Sequence, residues 1–338
     1  MKFGLFEHID HTGPSLAQQY DERLTLIQAA DRENFHAYHL AEHHGSPLGG
    51  APSPGVFLSA VARSTTRLRL GPLVYLLPLY HPLRLIEEIC MLDQLSHGRF
   101  ELGIGRGGAA VEHRLFGIST DPAELARRFE EVRDIVVRGL TSEVLDYDGE
   151  FYQLSNVPMV MKPVQRPIPP MWYGTANPET ATWTVPLRIN VLTLGPTSRA
   201  RTVGDRYRAE WAAQGNDPAT MPFIGMTRHL VVADTDAQAC DIARRAHAGF
   251  NAKLRWLWDR SGQAAAFPAH FVADFDTAMA AGITCAGSPA TIRDYLAKQF
   301  AESGITYLAA GLFFGEMTFD EMMASLTLFA HEVMPAFA

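Results

Sequence analysis

Cysteine is scarce. The 338 residues hold three (Cys90, Cys240 and Cys285), far apart and without metal-ligand spacing, which argues against a disulfide framework or a cysteine metal centre. No apolar run reaches the roughly 18 residues that span a bilayer. The start, Met1-Lys2-Phe3-Gly4-Leu5-Phe6, lacks a signal peptide's apolar region and cleavage site. Positive charge is in deficit, with 29 Lys and Arg against 37 Asp and Glu, a formal net charge of −8. That balance speaks against nucleic acid or an anionic membrane surface as a partner. No module repeats at a fixed period. Together these absences predict a soluble, cytoplasmic protein. What is plentiful is apolar: at 47% hydrophobic residues, the chain can bury one large core or two ordinary ones.

Strand and helix patterns alternate along the chain. Strands are predicted at Lys2 to Phe6, Ala37 to Glu42, Leu68 to Leu77, Arg99 to Gly105, Met171 to Gly174, Arg188 to Leu194, Phe223 to Ala233 and Thr306 to Ala310. Helical spacing follows each of them, for example Leu16 to Asn34, Pro54 to Ser64, His81 to Leu95, Pro122 to Gly139 and Thr235 to about Trp258. Val144 to Pro170 reads as an inserted hairpin and loop, with Asp148-Gly149 as its turn signal. Residues 109–120 are mixed, and residues 259–285 show no clean periodicity. Eight strand–helix units predict an α/β fold, a TIM (β/α)8 barrel with a parallel sheet and right-handed crossovers. It would be a single domain over residues 1–338, with the inserted hairpin at about 140–170 and a late irregular insertion at about 259–285. An open doubly wound sheet is the alternative.

The stretch Arg99-Phe100-Glu101-Leu102-Gly103-Ile104-Gly105-Arg106-Gly107-Gly108 organises the rest. A buried strand ends in glycines interrupted by one arginine. Bare backbone can approach a ligand closely, and a guanidinium can bind phosphate bidentately. Gly103, Gly105 and Gly108 also satisfy G-x-G-x-x-G, but no helix opens on the loop and no strand-end acid follows, so the dinucleotide reading is disfavoured. In a barrel, chemistry belongs to the loops after strands, where His43-His44, Gly105-Arg106 and Asn177 to Thr180 fall. Asn177 and Thr180 can cap a helix and bind phosphate with the same free N–H groups. His39-Leu40-Ala41-Glu42-His43 matches a reversed zinc-protease pattern, which needs a helix where a strand is predicted, so no metal site is assigned. His36 and His39 read as ordinary hydrogen-bonded residues, and Glu88, Asp93 and Arg99 as structural. The aromatics Trp256, Trp258, Phe267, Phe271 and Phe275 suit a mobile lid over an apolar substrate.

The chain resembles the bacterial luciferase-like flavin-dependent monooxygenases over nearly its whole length. The resemblance runs through Met1 to Phe6, Ala41-Glu42-His43-His44, Leu77-Pro78 with His81-Pro82-Leu83-Arg84, and Leu92 to Phe100. It continues through Gly103 to Gly107, Asn177 to Trp183, Gly287-Ser288-Pro289 and Ala324 to Pro335. It implies a TIM barrel with insertions and FMN, used reduced and supplied by a separate flavin reductase, with dioxygen and a small organic substrate. His43 aligns with the histidine the family needs for activity, with His44 beside it. Arg106 aligns with the arginine that holds the flavin phosphate, and Asn177 and Thr180 with its hydroxyl-bearing phosphate partners. Asn177 departs from the usual serine. Leu73-Val74 aligns with a peptide that packs on the isoalloxazine and is often cis.

Gly105 stands where the luciferase alpha subunit has cysteine beside the flavin, and Ala109 lies near a tyrosine position, so light emission is not implied. The reading is therefore a two-component FMN monooxygenase acting on a small or medium apolar carbonyl or aldehyde-like substrate. Its rivals are a deazaflavin-dependent dehydrogenase or reductase and a non-catalytic flavin-binding partner subunit. Relatives form dimers, and the helices Pro54 to Ser64 and the one from His81 could supply a homodimer interface.

Overall fold

A strand with both faces hidden needs helices on one side and neighbouring side chains on the other, and a closed ring of strands supplies both. The computed structural model, which describes residues 1–13, 15–268 and 271–337, has that form. The chain runs β1 (Lys2–Glu7), α1 (Leu16–Arg32), β2 (Ala37–Leu40) and α2 (Pro54–Ser64), then β3 (Arg69–Pro72), β4 (Tyr75–Leu76) and α3 (Pro82–Leu95). Next come β5 (Leu102–Gly105), α4 (Ala110–Leu115), α5 (Pro122–Thr141) and the hairpin β6 (Val144–Asp148) and β7 (Gln153–Pro158). The second half holds β8 (Met171–Gly174), α6 (Ala181–Thr184), β9 (Asn190–Thr193), α7 (Thr197–Ala213), β10 (Ile224–Val232) and α8 (Asp236–Arg260). It closes with α9 (Phe275–Ala280), β11 (Thr284–Gly287), α10 (Pro289–Ser303), β12 (Tyr307–Gly311) and α11 (Phe319–Leu328).

Parallel pairing follows the order β3-β2-β1-β12-β10-β9-β8-β5-β4. The ring closes through Leu70, whose N–H donates to Arg99 O and whose carbonyl accepts from Glu101 N–H. Close approach at this seam requires glycine. A Cβ on Gly103 would lie 2.0 Å from Pro72 O, and one on Gly71 would lie 1.9 Å from Glu101 O. Inside the barrel, Phe6, Leu73, Trp172, Leu192 and Tyr307 form one cluster. Below it the buried Glu101 accepts from Arg69 Nε and from Trp172 Nε1, both at 2.5 Å. Burial raises the Glu101 carboxyl, but His36, Arg69 and His39 outweigh this and hold it at about 2. Helix starts are fixed by side-chain caps: Ser15, Asp121, Thr235 and Ser288 each accept from the first turn, and Thr318 with Glu321 makes a capping box. Each cap contributes about 1 kcal/mol.

The barrel and the hairpin agree with the sequence reading, and four local features differ from it. The predicted strand Leu68 to Leu77 is two strands, β3 and β4, separated at Leu73 and Val74, whose peptide is cis. Residues 109–120 contain α4, too short for its periodicity to stand out. The stretch 259–285, of which residues 269 and 270 lie outside the described residues, carries α9 and the first half of β11, a short extra strand on the C-terminal half of β10. The last helix, which the sequence pattern predicts over Phe319 to Val333, ends as α11 at Leu328 and continues as a π turn over Phe329–Val333. The zinc-type spacing is on a strand and a loop, as the sequence implies. His39 is fully buried, with its Nε2 2.7 Å from Tyr307 Oη.

Candidate active site

Parallel strands aim all their C-terminal ends at one rim, and the loops there enclose a cavity of about 550 Å3. Its walls come from His8 after β1, Glu42 and His43 after β2, Leu73 and Val74 between β3 and β4, and Gly105 to Gly108 after β5. Leu254, Leu257, Trp258, Phe267 and Phe271 cover it with apolar surface. Of the predicted lid aromatics, Trp258, Phe267 and Phe271 therefore face the cavity. Phe275 is buried against His247, and Trp256 does not line the cavity.

His43 sits at the cavity wall with Nδ1 2.9 Å from Glu112 Oε1. The same carboxylate oxygen accepts from the backbone N–H of His44 at 2.9 Å. Burial pushes the Glu112 carboxyl up, but His43 and the His44 N–H more than offset it, and the group lies below the ordinary carboxylate range. An ionised carboxylate only accepts, so Nδ1 of His43 carries a proton, and Nε2 is the ring nitrogen left over. Among the described residues no protein group partners that Nε2.

The Arg106 side chain is exposed at the rim and has no ion-pair partner among the described residues. Around it the backbone is stripped of bulk. Gly107 has φ +82°, and its Cβ would lie 2.8 Å from the His113 ring, while a Cβ on Gly108 would meet nothing within 4 Å. The Arg106 carbonyl is held by His113 Nε2 at 3.2 Å. A cation lacking a protein anion, on an open glycine loop, fits an anionic group such as a flavin phosphate.

The loop after β8 neighbours this one, because β5 and β8 pair directly. In it Asn177 Oδ1 caps the turn by accepting from Glu179 N–H at 3.1 Å. Thr180 Oγ1 donates to Asn177 O at 2.8 Å. Asn177 is exposed and Thr180 half-buried, and neither lines the cavity. His44 does not line it either. Its Nε2 lies 2.7 Å from Glu42 Oε1, and its ring packs edge-on against Phe116. The structure thus brings His43, Leu73, Val74, Gly105 and Arg106 to one cavity. It leaves His44 behind the wall and Asn177 and Thr180 beside it.

Residues 1–307 match the model of the luciferase-like monooxygenases. The chain belongs to that family. It is 41% identical to the uncharacterized protein y4wF of Sinorhizobium fredii, over 99% of this chain and 96% of that one. It is 29% identical to the oxygenase component of the flavin-dependent trigonelline monooxygenase of Acinetobacter baylyi, over 76% of this chain and 72% of that one. Among solved structures it is similar to monooxygenase RslO1 of Streptomyces bottropensis, with TM-score 0.85, 27% identity and full coverage of both chains. The fold is also that of the oxygenating constituent of 3,6-diketocamphane monooxygenase of Pseudomonas putida, solved with FMN (TM-score 0.80, 20% identity, 100% of this chain and 99% of that one).

Within this luciferase-like site, two positions were not apparent from sequence. Glu112 lies on α4, in a stretch without legible periodicity. His8 directly follows β1, and the strand-end rule that selects His43 selects it equally. His8 stacks on His43 at 5.2 Å and is driven well below 6.5 by burial, with His43 and His229 adding to the effect. Glu42, also on the wall, is raised by burial despite bonds from His44, Tyr80 Oη and Leu76 N–H. Among the described residues, no group of three or more His, Cys, Asp or Glu is placed to hold a metal ion. Among the described residues, no helix is long and apolar enough to cross a membrane.

Proposed function

We propose that this luciferase-like monooxygenase is the oxygenase half of a two-component system. It would take reduced FMN from a separate flavin reductase and use dioxygen to oxidise a small or medium apolar carbonyl or aldehyde-like compound. The observation that carries the reading is the unpaired Arg106 on its glycine loop, at the rim of a cavity whose other wall holds His43 with a free Nε2. Arg106 would grip the phosphate, with Asn177 and Thr180 completing the cradle from the adjacent loop. Leu73, Val74 and Gly105 would flank the ring. When bound, reduced FMN supplies the electrons that activate dioxygen.

The chain's own residues do the rest. The apolar cover of Leu254, Leu257, Trp258 and Phe267 excludes water from the reacting centre. His43 holds or moves a proton at Nε2, oriented by Glu112 through Nδ1, and His44 and Glu42 brace the loop behind it. The test is turnover with reduced FMN, 18O2 and a panel of aldehydes and cyclic ketones, read by mass spectrometry, with a reduced deazaflavin as the rival donor. One 18O atom in a product made only with FMN supports the reading. Anaerobic turnover with deazaflavin alone replaces it. His43→Ala is expected to bind FMN normally and to lose at least about 100-fold in product formation, the usual scale of a general acid–base contribution.

A further inference from the structure

Besides His43, three imidazoles line the cavity and are not used by the proposed chemistry: His8, His229 and His247, the last with its Nε2 2.8 Å from Val272 O. His8 and His229 both pack edge-on against Phe250, at centroid distances of 5.2 and 4.7 Å. Both line the cavity, and among the described residues neither ring has a hydrogen-bond partner. The His229 ring is fixed in place. It stacks on Phe314 at 4.3 Å with an interplanar angle of 7°. Gly311, its register partner on β12, leaves the room, since a Cβ there would lie 2.4 Å from His229 Cδ2. A polar ring packed this firmly with its nitrogens unsatisfied is preorganised for a ligand, because a half-buried donor and acceptor left unmatched cost free energy.

The chemistry of that ligand follows from what surrounds the pair. Burial lowers His229 to about 3, with His247 adding to the effect, and lowers His8 as described above. Near neutral pH each ring therefore offers one N–H donor and one lone pair, and no charge. Of the arginines on the cavity lining, Arg106 is given to the flavin phosphate by the reading above, so with FMN bound a carboxylate entering here meets no free cation. Arg228 on the same wall already donates to Gly195 O, Thr227 O, Thr197 Oγ1 and Gln299 Oε1. His43 is held by Glu112. On the same cavity lining, Trp258, Phe267 and Phe271 form an aromatic wall with centroid spacings of 6.1 and 5.6 Å.

Resting on the flavin reading above, we propose that His8 and His229 form a paired hydrogen-bond station for the polar end of the substrate, which is an uncharged aromatic compound bearing a hydroxyl or carbonyl group. The pair binds and orients; it takes no part in oxygen transfer. Equilibrium dialysis of the full chain, saturated with FMN, against naphthalene, 2-naphthol and 2-naphthoate tests this at matched shape. The wild type is expected to hold 2-naphthol about tenfold or more tighter than naphthalene, with 2-naphthoate weakest. His229→Phe and His8→Leu should each reduce the naphthol preference to about twofold or less, and His229→Gln should restore part of it. If His229→Phe fails to give a folded protein, His8→Leu and His229→Gln carry the comparison.

FMN binding, measured in parallel, is expected to be unchanged in all three variants. A loss of the flavin reading would therefore show in that measurement and not in the naphthol ratios. Wild type that binds naphthalene as well as naphthol, wild type that prefers naphthoate, or a naphthol preference that survives both substitutions would each overturn the proposal.

Discussion

Replacing Glu112 by glutamine isolates the electrostatic part of His43's support. The amide oxygen can keep the place of Oε1, because the His44 N–H still points at it from 2.9 Å, so the His43 Nδ1–H contact and the tautomer survive. What vanishes is a full negative charge beside an imidazole that, in the proposed mechanism, takes up a proton during turnover. Two unit charges about 4 Å apart interact by about 4 kcal/mol at an effective dielectric of 20. The His43 side chain is 27% exposed, so solvent screening reduces that to roughly 2 kcal/mol. At 1.36 kcal/mol per tenfold, the expected loss is about 30-fold in turnover with FMN affinity unchanged. Stopped-flow product formation at saturating reduced FMN reads it directly.

Stability provides a second signature of the same variant. The folded Glu112 carboxyl lies below its ordinary 4.5. The stability it lends is complete above that value and is lost as pH falls through the lower folded one. The melting temperatures of wild type and Glu112→Gln should therefore converge toward acid. A glutamine variant turning over within twofold of wild type would refute the role given to this carboxylate.

Gly103→Ala would drive a Cβ to 2.0 Å from the Pro72 carbonyl oxygen. Because backbone cannot yield as a side chain does, thermal denaturation should show a loss of at least about 2–3 kcal/mol. Glu101→Gln removes a buried carboxylate shifted from 4.5 to about 2, worth on the order of 3 kcal/mol. Its melting temperature should fall by roughly 5 °C near neutral pH. The deficit should shrink as pH drops from 4.5 through about 2, where wild type loses the same contribution, and a deficit that persists there would contradict the assignment.

The sequence carries the barrel because each strand is a short apolar run followed by a helix with its own start signal. Asp121-Pro122 and Ser288-Pro289 cap where their residue types say they should. It does not carry α4 or β11, which are too short for a period to stand out and are held by tertiary contacts. The same limit hides Glu112, whose partner lies 69 positions away in sequence. Arg106 was legible because arginine among glycines has few structural uses. The neighbouring histidines were legible only as a pair: which imidazole enters the cavity depends on how the loop turns after β2, and Glu42 draws His44 away from it. His229 was silent because a histidine inside a strand reads as an interrupted apolar run until Gly311 and Phe314 are seen around it.

The grip of Arg106 on the cofactor's anionic tail is the central claim. Anaerobic titration of wild type and Arg106→Ala with reduced FMN and with reduced riboflavin, which lacks the phosphate, measures it most directly. Charge-assisted hydrogen bonds contribute about 1.5–3 kcal/mol each, so wild type should prefer FMN by at least about tenfold, and the alanine variant should bind the two flavins nearly alike. An unchanged preference for FMN in Arg106→Ala would contradict the account.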